Sequence, residues 1–246
     1  METMRPAREA CQRARRPAAR VPGRVRVGHP LPGGASVRGV LITFEGVEGS
    51  GKTTQARHLA AFLDGRGQRV RLTREPDGTA LGQAVRALFE AGAPGPAPLA
   101  EMFLFLAARQ QHVVEVIRPA LEGGAVVIAD RYVDATVAYQ GYGRGVDPQT
   151  IRELNLIATG GVLPDLTILL DLAPALGIRR IAGRAHDSFE TLGLDFHERV
   201  RQGYLEIARA EKERVAVVGG DLEEAEVRAA IRALVVDRLR EALGGG

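Results

Sequence analysis

Residues 46–54 read Gly46-Val47-Glu48-Gly49-Ser50-Gly51-Lys52-Thr53-Thr54 (GVEGSGKTT). Every fixed position of the phosphate-loop pattern G-x-x-x-x-G-K-[ST] is present. The context is also the required one. A short β-rich run, Val40–Phe44 (VLITF), leads straight into the loop, and a helical pattern carrying Leu59, Phe62 and Leu63 follows it. Gly46, Gly49 and Gly51 let successive backbone N–H groups converge on one anion, and the helix from Lys52 adds its positive N-terminal end. The loop predicts that a nucleoside triphosphate is held by Gly46, Val47, Glu48, Gly49, Ser50, Gly51, Lys52, Thr53 and Thr54. Lys52 is placed to bridge the β- and γ-phosphates, and the Thr53 hydroxyl to ligate Mg²⁺. What the loop leaves open is the acceptor of the phosphoryl group.

Outward from the loop, four more apolar runs alternate with helical patterns: Arg69–Thr73 (RVRLT), Val126–Ala129 (VVIA), Leu166–Leu170 (LTILL) and Val215–Val218 (VAVV). Runs of this kind are buried on both faces. They predict an α/β fold of the P-loop NTPase type: a five-stranded parallel sheet with helices on both faces. Ligands belong at the strands' carboxyl ends. The chemistry-bearing motifs fall there: GVEGSGKTT after the first strand, Thr73-Arg74-Glu75-Pro76 after the second, and Asp130-Arg131-Tyr132 after the third. Asp130 is the natural second oxygen ligand for Mg²⁺; a helix N-cap is the alternative. Arg131 beside it can neutralise transferring charge. Ala91–Pro98 (AGAPGPAP) reads as a loop.

The chain has 246 residues with 45% hydrophobic content, enough for one α/β domain with a full core. The single Cys11 allows no internal disulfide and fits a reducing cytosol. No apolar run reaches the roughly 20 residues that span a bilayer. The net charge is +3, but residues 1–38 hold nine arginines against Glu2 and Glu9, a net +7, which leaves −4 for residues 39–246. The body of the chain therefore gives no reason to expect nucleic-acid binding. Residues 1–38, rich in Arg, Pro and Gly, predict a disordered extension or a read-through upstream of a start near Val37. Lys52 and Lys212 are the only lysines.

A GTPase needs an Asn-Lys-x-Asp base reader, and the only asparagine, Asn155, is followed by Leu156. No Leu-Ser-Gly-Gly-Gln stretch marks a transporter ATPase. Instead, Arg74, Arg109, Arg131 and Arg144 are expected just beyond strand ends, and guanidinium forks grip a second phosphate bidentately. A small kinase is the reading that follows.

Five stretches together carry a resemblance: TFEGVEGSGKTTQ (43–55), TREPDGT (73–79), FLFLAAR (103–109), DRYVDATVAYQGYGRG (130–145) and PDLTILLDL (164–172). The chain resembles the thymidylate kinases, in their bacterial form, from about Gly39 to Leu243. The resemblance implies transfer of the γ-phosphoryl of MgATP to dTMP, giving dTDP on the way to dTTP, in a cytoplasmic homodimer touching through the helix near Phe103. Neither a membrane nor a nucleic-acid partner is implied.

On this resemblance Arg74 clamps the dTMP phosphate and Phe105 stacks on thymine, although core packing would equally explain Phe105. Arg109, four residues on, offers a donor fork on the same helix face, or else is a solvated charge. Thr136 and Gln140, at i and i+4, offer polar groups to the base edge. Tyr139 packs where a 2′-hydroxyl would sit, or is a buried tyrosine bonded elsewhere. Glu48 approaches the sugar or the arginine holding the acceptor, and Arg131 also serves dTMP. Ile178–Glu190 (IRRIAGRAHDSFE) reads as a mobile basic lid supplying the catalytic arginine, Arg184 or Arg180, beside Lys52 and Arg131. Two departures stand out: Asp187-Ser188 replaces the usual Asp-Arg, and Asp77 stands where glycine is commoner. The rival readings are a kinase for another nucleotide or nucleoside, and a nucleotide-binding paralogue without turnover.

Overall fold

The computed structural model describes residues 39–89, 95–182, 189, 192–240 and 243. The expectation of disorder for residues 1–38, the segment 91–94, and Arg184, Asp187 and Ser188 of the lid all lie outside them. Along the chain run β1 (Val40–Glu45), α1 (Lys52–Asp64), β2 (Val70–Arg74), α2 (Ala80–Ala87) and α3 (Pro98–His112). α3 passes through a π-helical turn, Val113–Ile117, into α4 (Arg118–Glu122). Then come β3 (Val126–Asp130) and α5 (Val133–Thr136), which continues as a π-helix over Val137–Gly143. α6 (Pro148–Thr159), β4 (Leu166–Asp171), α7 (Pro174–Ile181), α8 (Leu194–Ala210), β5 (Val215–Gly219) and α9 (Glu224–Arg238) complete the order.

The five strands form one parallel sheet in the order β2-β3-β1-β4-β5, as the runs predict, but β2, read as buried on both faces, is an edge strand with Arg71, Leu72 and Arg74 exposed. β1 is central: Phe44 is in register with Asp130 on one side and with Ile168 on the other. The pleat sorts its side chains. Ile42 and Phe44 face a core with Leu59 and Leu63 of α1 and Ile231 and Val235 of α9. Leu41 faces the opposite layer, with Val113, Ile117 and Leu121. Each such fully buried side chain contributes roughly 1.5–3 kcal/mol. A third apolar cluster joins Met102 and Leu106 of α3 to Val137, Tyr139, Val200 and Tyr204. It walls the carboxyl end of the sheet. Among the described residues, no helix is long and apolar enough to cross a membrane.

Three expectations are corrected. Pro98 is the first residue of α3 rather than the end of a loop, as proline suits a helix's first turn. Ile178–Ile181, placed in the lid, are the last turn of α7, anchored by the buried Ile181. Arg109 and Arg144 do not sit at strand ends: Arg109 lies within α3, and Arg144 follows the π-helix.

Candidate active site

The site begins where β1 stops. Gly46 leaves the strand at φ 139, and a Cβ there would lie 2.5 Å from the Leu170 carbonyl. Gly49 (φ 71) packs so closely on α7 that a Cβ would meet the Gly177 carbonyl at 2.3 Å. Only glycine fits either position. The loop therefore closes over the amino end of α1 and leaves the Lys52 ammonium inside it. Lys52 Nζ donates to the carbonyls of Gly46 (3.0 Å) and Val47 (2.8 Å). Burial, reinforced by the nearby Arg131 charge, lowers its pKa to about 8, while Glu48, Asp130 and Glu45 pull the other way. The Thr53 hydroxyl donates to the Asp130 carboxylate. The two predicted metal ligands are thus neighbours, and Tyr132, not Asp130, precedes α5 as its cap residue.

One cavity of about 390 Å³ adjoins this loop and reaches the second and third strand ends. Its walls include Glu48, Lys52, Thr53, Arg74, Asp130 and Arg131, and further in Phe105, Arg109, Thr136, Tyr139 and Gln140. Arg180 borders it too, its Nη1 donating to Gly220 O at 2.8 Å. The structure thus gathers residues from five separated stretches into one space of a size that holds small ligands.

Arg131 stands at the centre. Its Nη2 pairs with the Glu48 carboxylate and lies 3.3 Å from the Tyr139 hydroxyl, which itself donates to Glu48 at 3.0 Å. Burial opposes its charge, yet Glu48 and the surrounding oxygens raise its pKa well above the ordinary value, so it stays cationic. Arg74 is exposed and pairs with Asp77, the residue replacing the commoner glycine. Gln140 donates to Glu101 at 2.9 Å. Thr136 ends α5 and Gln140 falls in the π-helix, so the simple i, i+4 helical pairing is corrected, though both line the cavity.

Phe105 is half-buried, with its ring on the cavity. Phe89 stacks against it, centroids 5.0 Å apart and planes at 17°, and Phe189 tilts over it at 5.8 Å. Arg109 is neither a solvated charge nor a free fork. All five of its N–H groups have protein acceptors: Glu75 from Nε and Nη2, Thr136 and Asn155 from Nη1, and the Tyr132 carbonyl from Nη2. Burial opposes ionisation of Glu75, but Arg109, together with His112, holds its carboxyl below the usual range.

Sequence reasoning missed Glu75, Phe89, Asn155, Phe189, Tyr204 and Glu45. Glu75 was within reach, inside the quoted TREP stretch. Tyr204 sits mid-helix with no local signal.

A phosphate loop, the neighbouring Thr53 hydroxyl and Asp130 carboxylate, and arginines lining the same cavity define a P-loop phosphotransferase with a small-molecule acceptor. The comparisons narrow that class. Residues 44–231 match the family model described as thymidylate kinase. The thymidylate kinase of Desulfovibrio desulfuricans is 52% identical over 188 residues, covering 73% of this chain and 87% of that protein. That of Maridesulfovibrio salexigens is 45% identical over 210 residues, covering 82% and 97%. The crystal structure of thymidylate kinase from Ehrlichia chaffeensis superposes with a TM-score of 0.66 at 36% identity, covering 80% of this chain and 99% of that one. The chain belongs to the thymidylate kinase family.

Proposed function

We infer that the cavity carries out the family's reaction: ATP-dependent phosphorylation of dTMP to dTDP, on the way to dTTP. The observation that supports this most is the continuity of the space. The phosphate loop and the Arg74–Phe105 shelf open into one cavity. Donor and acceptor can then meet without the chain rearranging its core, and phosphoryl transfer asks chiefly for positioning and charge neutralisation.

In our reading, residues 46–54 hold the ATP phosphates, with Lys52 released from its two carbonyls to bridge the β- and γ-groups. Arg74, freed from Asp77, clamps the acceptor phosphate. Arg131 faces the transferring group, and Glu48 and Tyr139 orient it beside the sugar. Phe105 stacks on the base, while Arg109 holds Thr136 at the base edge, with Gln140 alongside. The acceptor's phosphate oxygen is already anionic, so no protein nucleophile is required. The Thr53 hydroxyl and Asp130 carboxylate are hard oxygen donors beside the phosphate loop, which fits Mg²⁺ bound mainly through phosphates and water. When bound, the ion would supply charge neutralisation at the phosphate oxygens. Arg180, or Arg184 of the lid, adds a further cation on the donor side.

We read residues 39–246 as the kinase domain, working in the cytoplasm as a homodimer. Leu99 and Phe103 of α3 and Leu156 and Ile157 of α6 are all exposed, and Ile157 is 60% so. This two-helix apolar face suits a second copy. Comparing dTMP, dUMP, dCMP and thymidine as acceptors in a coupled ATP assay tests the substrate. The expected order puts dTMP first by kcat/KM; thymidine ahead of dTMP overturns the reading.

A further inference from the structure

Among the described residues, Arg131 is the only non-glycine with a left-handed backbone, at φ 71. A side chain in that region costs roughly 1–2 kcal/mol, and such strain persists only where the surroundings impose it. Three hydrogen bonds do so. Arg131 N–H donates to Phe44 O at 2.9 Å, and Glu75 N–H to Asp130 O at 3.0 Å. The third is a side-chain contact: Tyr132 N–H donates to Glu45 Oε1 at 2.8 Å.

Glu45 ends β1, is fully buried, and does not border the cavity. Its other oxygen, Oε2, accepts the Tyr204 hydroxyl at 2.7 Å, from α8, 159 residues away. That hydroxyl also lies 3.5 Å from Arg131 Nη1. One carboxyl group therefore ties the backbone on the far side of Arg131 to the helix that backs its guanidinium. Burial, with Asp134 nearby, pushes the Glu45 carboxyl up to about 8; in its protonated form Oε2–H donates to the Tyr204 oxygen while Oε1 still accepts Tyr132 N–H, and a side-chain amide of the same shape can make both contacts.

We propose that Glu45, together with Tyr204, is a positioning residue of the phosphoryl transfer, holding the strained Asp130–Arg131–Tyr132 turn so that the Arg131 guanidinium faces the transferring group. This rests on the reading of Arg131 given under the proposed function. Glu45 touches no substrate and acts through Arg131 alone.

The test measures kcat, the KM for ATP and dTMP, and thermal stability of the full chain for Glu45→Ala, Glu45→Gln, Tyr204→Phe, Arg131→Ala and the double variant Glu45→Ala/Arg131→Ala. Glu45→Ala is expected to lose kcat on the order of 100-fold, the scale set by small misplacements of catalytic groups, with the KM for ATP within about twofold. Glu45→Gln, which keeps the acceptor for Tyr132 N–H, recovers about tenfold of that loss. Adding Glu45→Ala to Arg131→Ala costs nothing further, because a residue acting only through Arg131 has nothing left to position. A purely structural role would instead add its loss to the double variant. Should Glu45→Ala fail to fold, Tyr204→Phe carries the test, with about a tenfold fall in kcat that again vanishes in the Arg131→Ala background. Additive losses, or wild-type kcat in both Glu45→Ala and Tyr204→Phe while Arg131→Ala is slow, overturn the proposal alone. Wild-type kcat in Arg131→Ala overturns the reading beneath it as well.

Discussion

Arg109 and Glu75 form a buried ion pair, with Nε and Nη2 donating to the same carboxylate oxygen at 2.9 and 2.7 Å. The pair joins α3 to the turn after β2. It ties one wall of the cavity to the stretch that carries Arg74. Both side chains are nearly inaccessible, so neither charge has water as an alternative partner.

Glu75→Gln removes the charge that satisfies Arg109 and costs about 3–5 kcal/mol, the range for breaking a buried pair from one side. In a domain of this size, Tm falls by roughly 10 °C at pH 7. The sign of the pH dependence follows from the depressed carboxyl. Glu75 contributes its full stability above its unfolded value of 4.5 and loses it as pH falls through the lower folded value. The gap between variant and wild type therefore closes in acid. Thermal melts from pH 3 to 8 check this.

Lys52 is lowered on folding as well, here by burial of its charge, so its pH dependence has the same sign in a higher window. Its pKa drops from 10.5 to about 8 on folding, so between those values the native state holds fewer protons than the unfolded chain. Wild-type stability gains from Lys52 as pH rises from 8 to 10.5, and Lys52→Met lacks this gain. The Tm of Lys52→Met minus that of the wild type should become more negative across that window. The same variant should lose more than about 10³-fold in kcat, since one well-placed charge contributes on that scale to a developing anion.

Phe105→Ala should raise the KM for dTMP about 10- to 100-fold and leave that for ATP nearly unchanged, because base–aromatic stacking is worth roughly 1–3 kcal/mol. Phe105→Leu keeps the packing against Phe89 and Phe189 but not the stack. Equal KM increases in both variants assign the effect to the ring face rather than to a cavity. Steady-state kinetics with each substrate varied in turn decides it.

Phe103→Glu places a charge on the exposed face of α3, where Phe103 is 54% accessible. It should convert the proposed homodimer to a monomer in sedimentation velocity. A wild-type chain that sediments as a monomer excludes the assembly at once.

Much of this was open to inspection in one dimension. The phosphate loop is a local device, with glycines and lysine at fixed spacing between a strand and a helix, and four of the five strands appear as short apolar runs, the edge strand β2 being half exposed. Arg74, Phe105, Thr136, Tyr139 and Gln140 belong to contiguous stretches, and they do reach the cavity. Residues 178–181 read as lid but form the last turn of α7, where Ile181 is buried.

What the linear order determined was the set of elements and the identity of the charged and aromatic groups, since dihedral preference and apolar period act over a few residues. What only the tertiary structure decided was which of those groups are free. Arg109 looks available in a helix and is fully engaged, because Glu75 and Asn155 arrive from 34 and 46 positions away. Glu45 looks like the end of a strand, yet it bonds the backbone next to Arg131, and Tyr204 reaches it across 159 residues. Hydrogen-bond partners this distant are chosen by strand order and helix packing, and no short-range pattern encodes them.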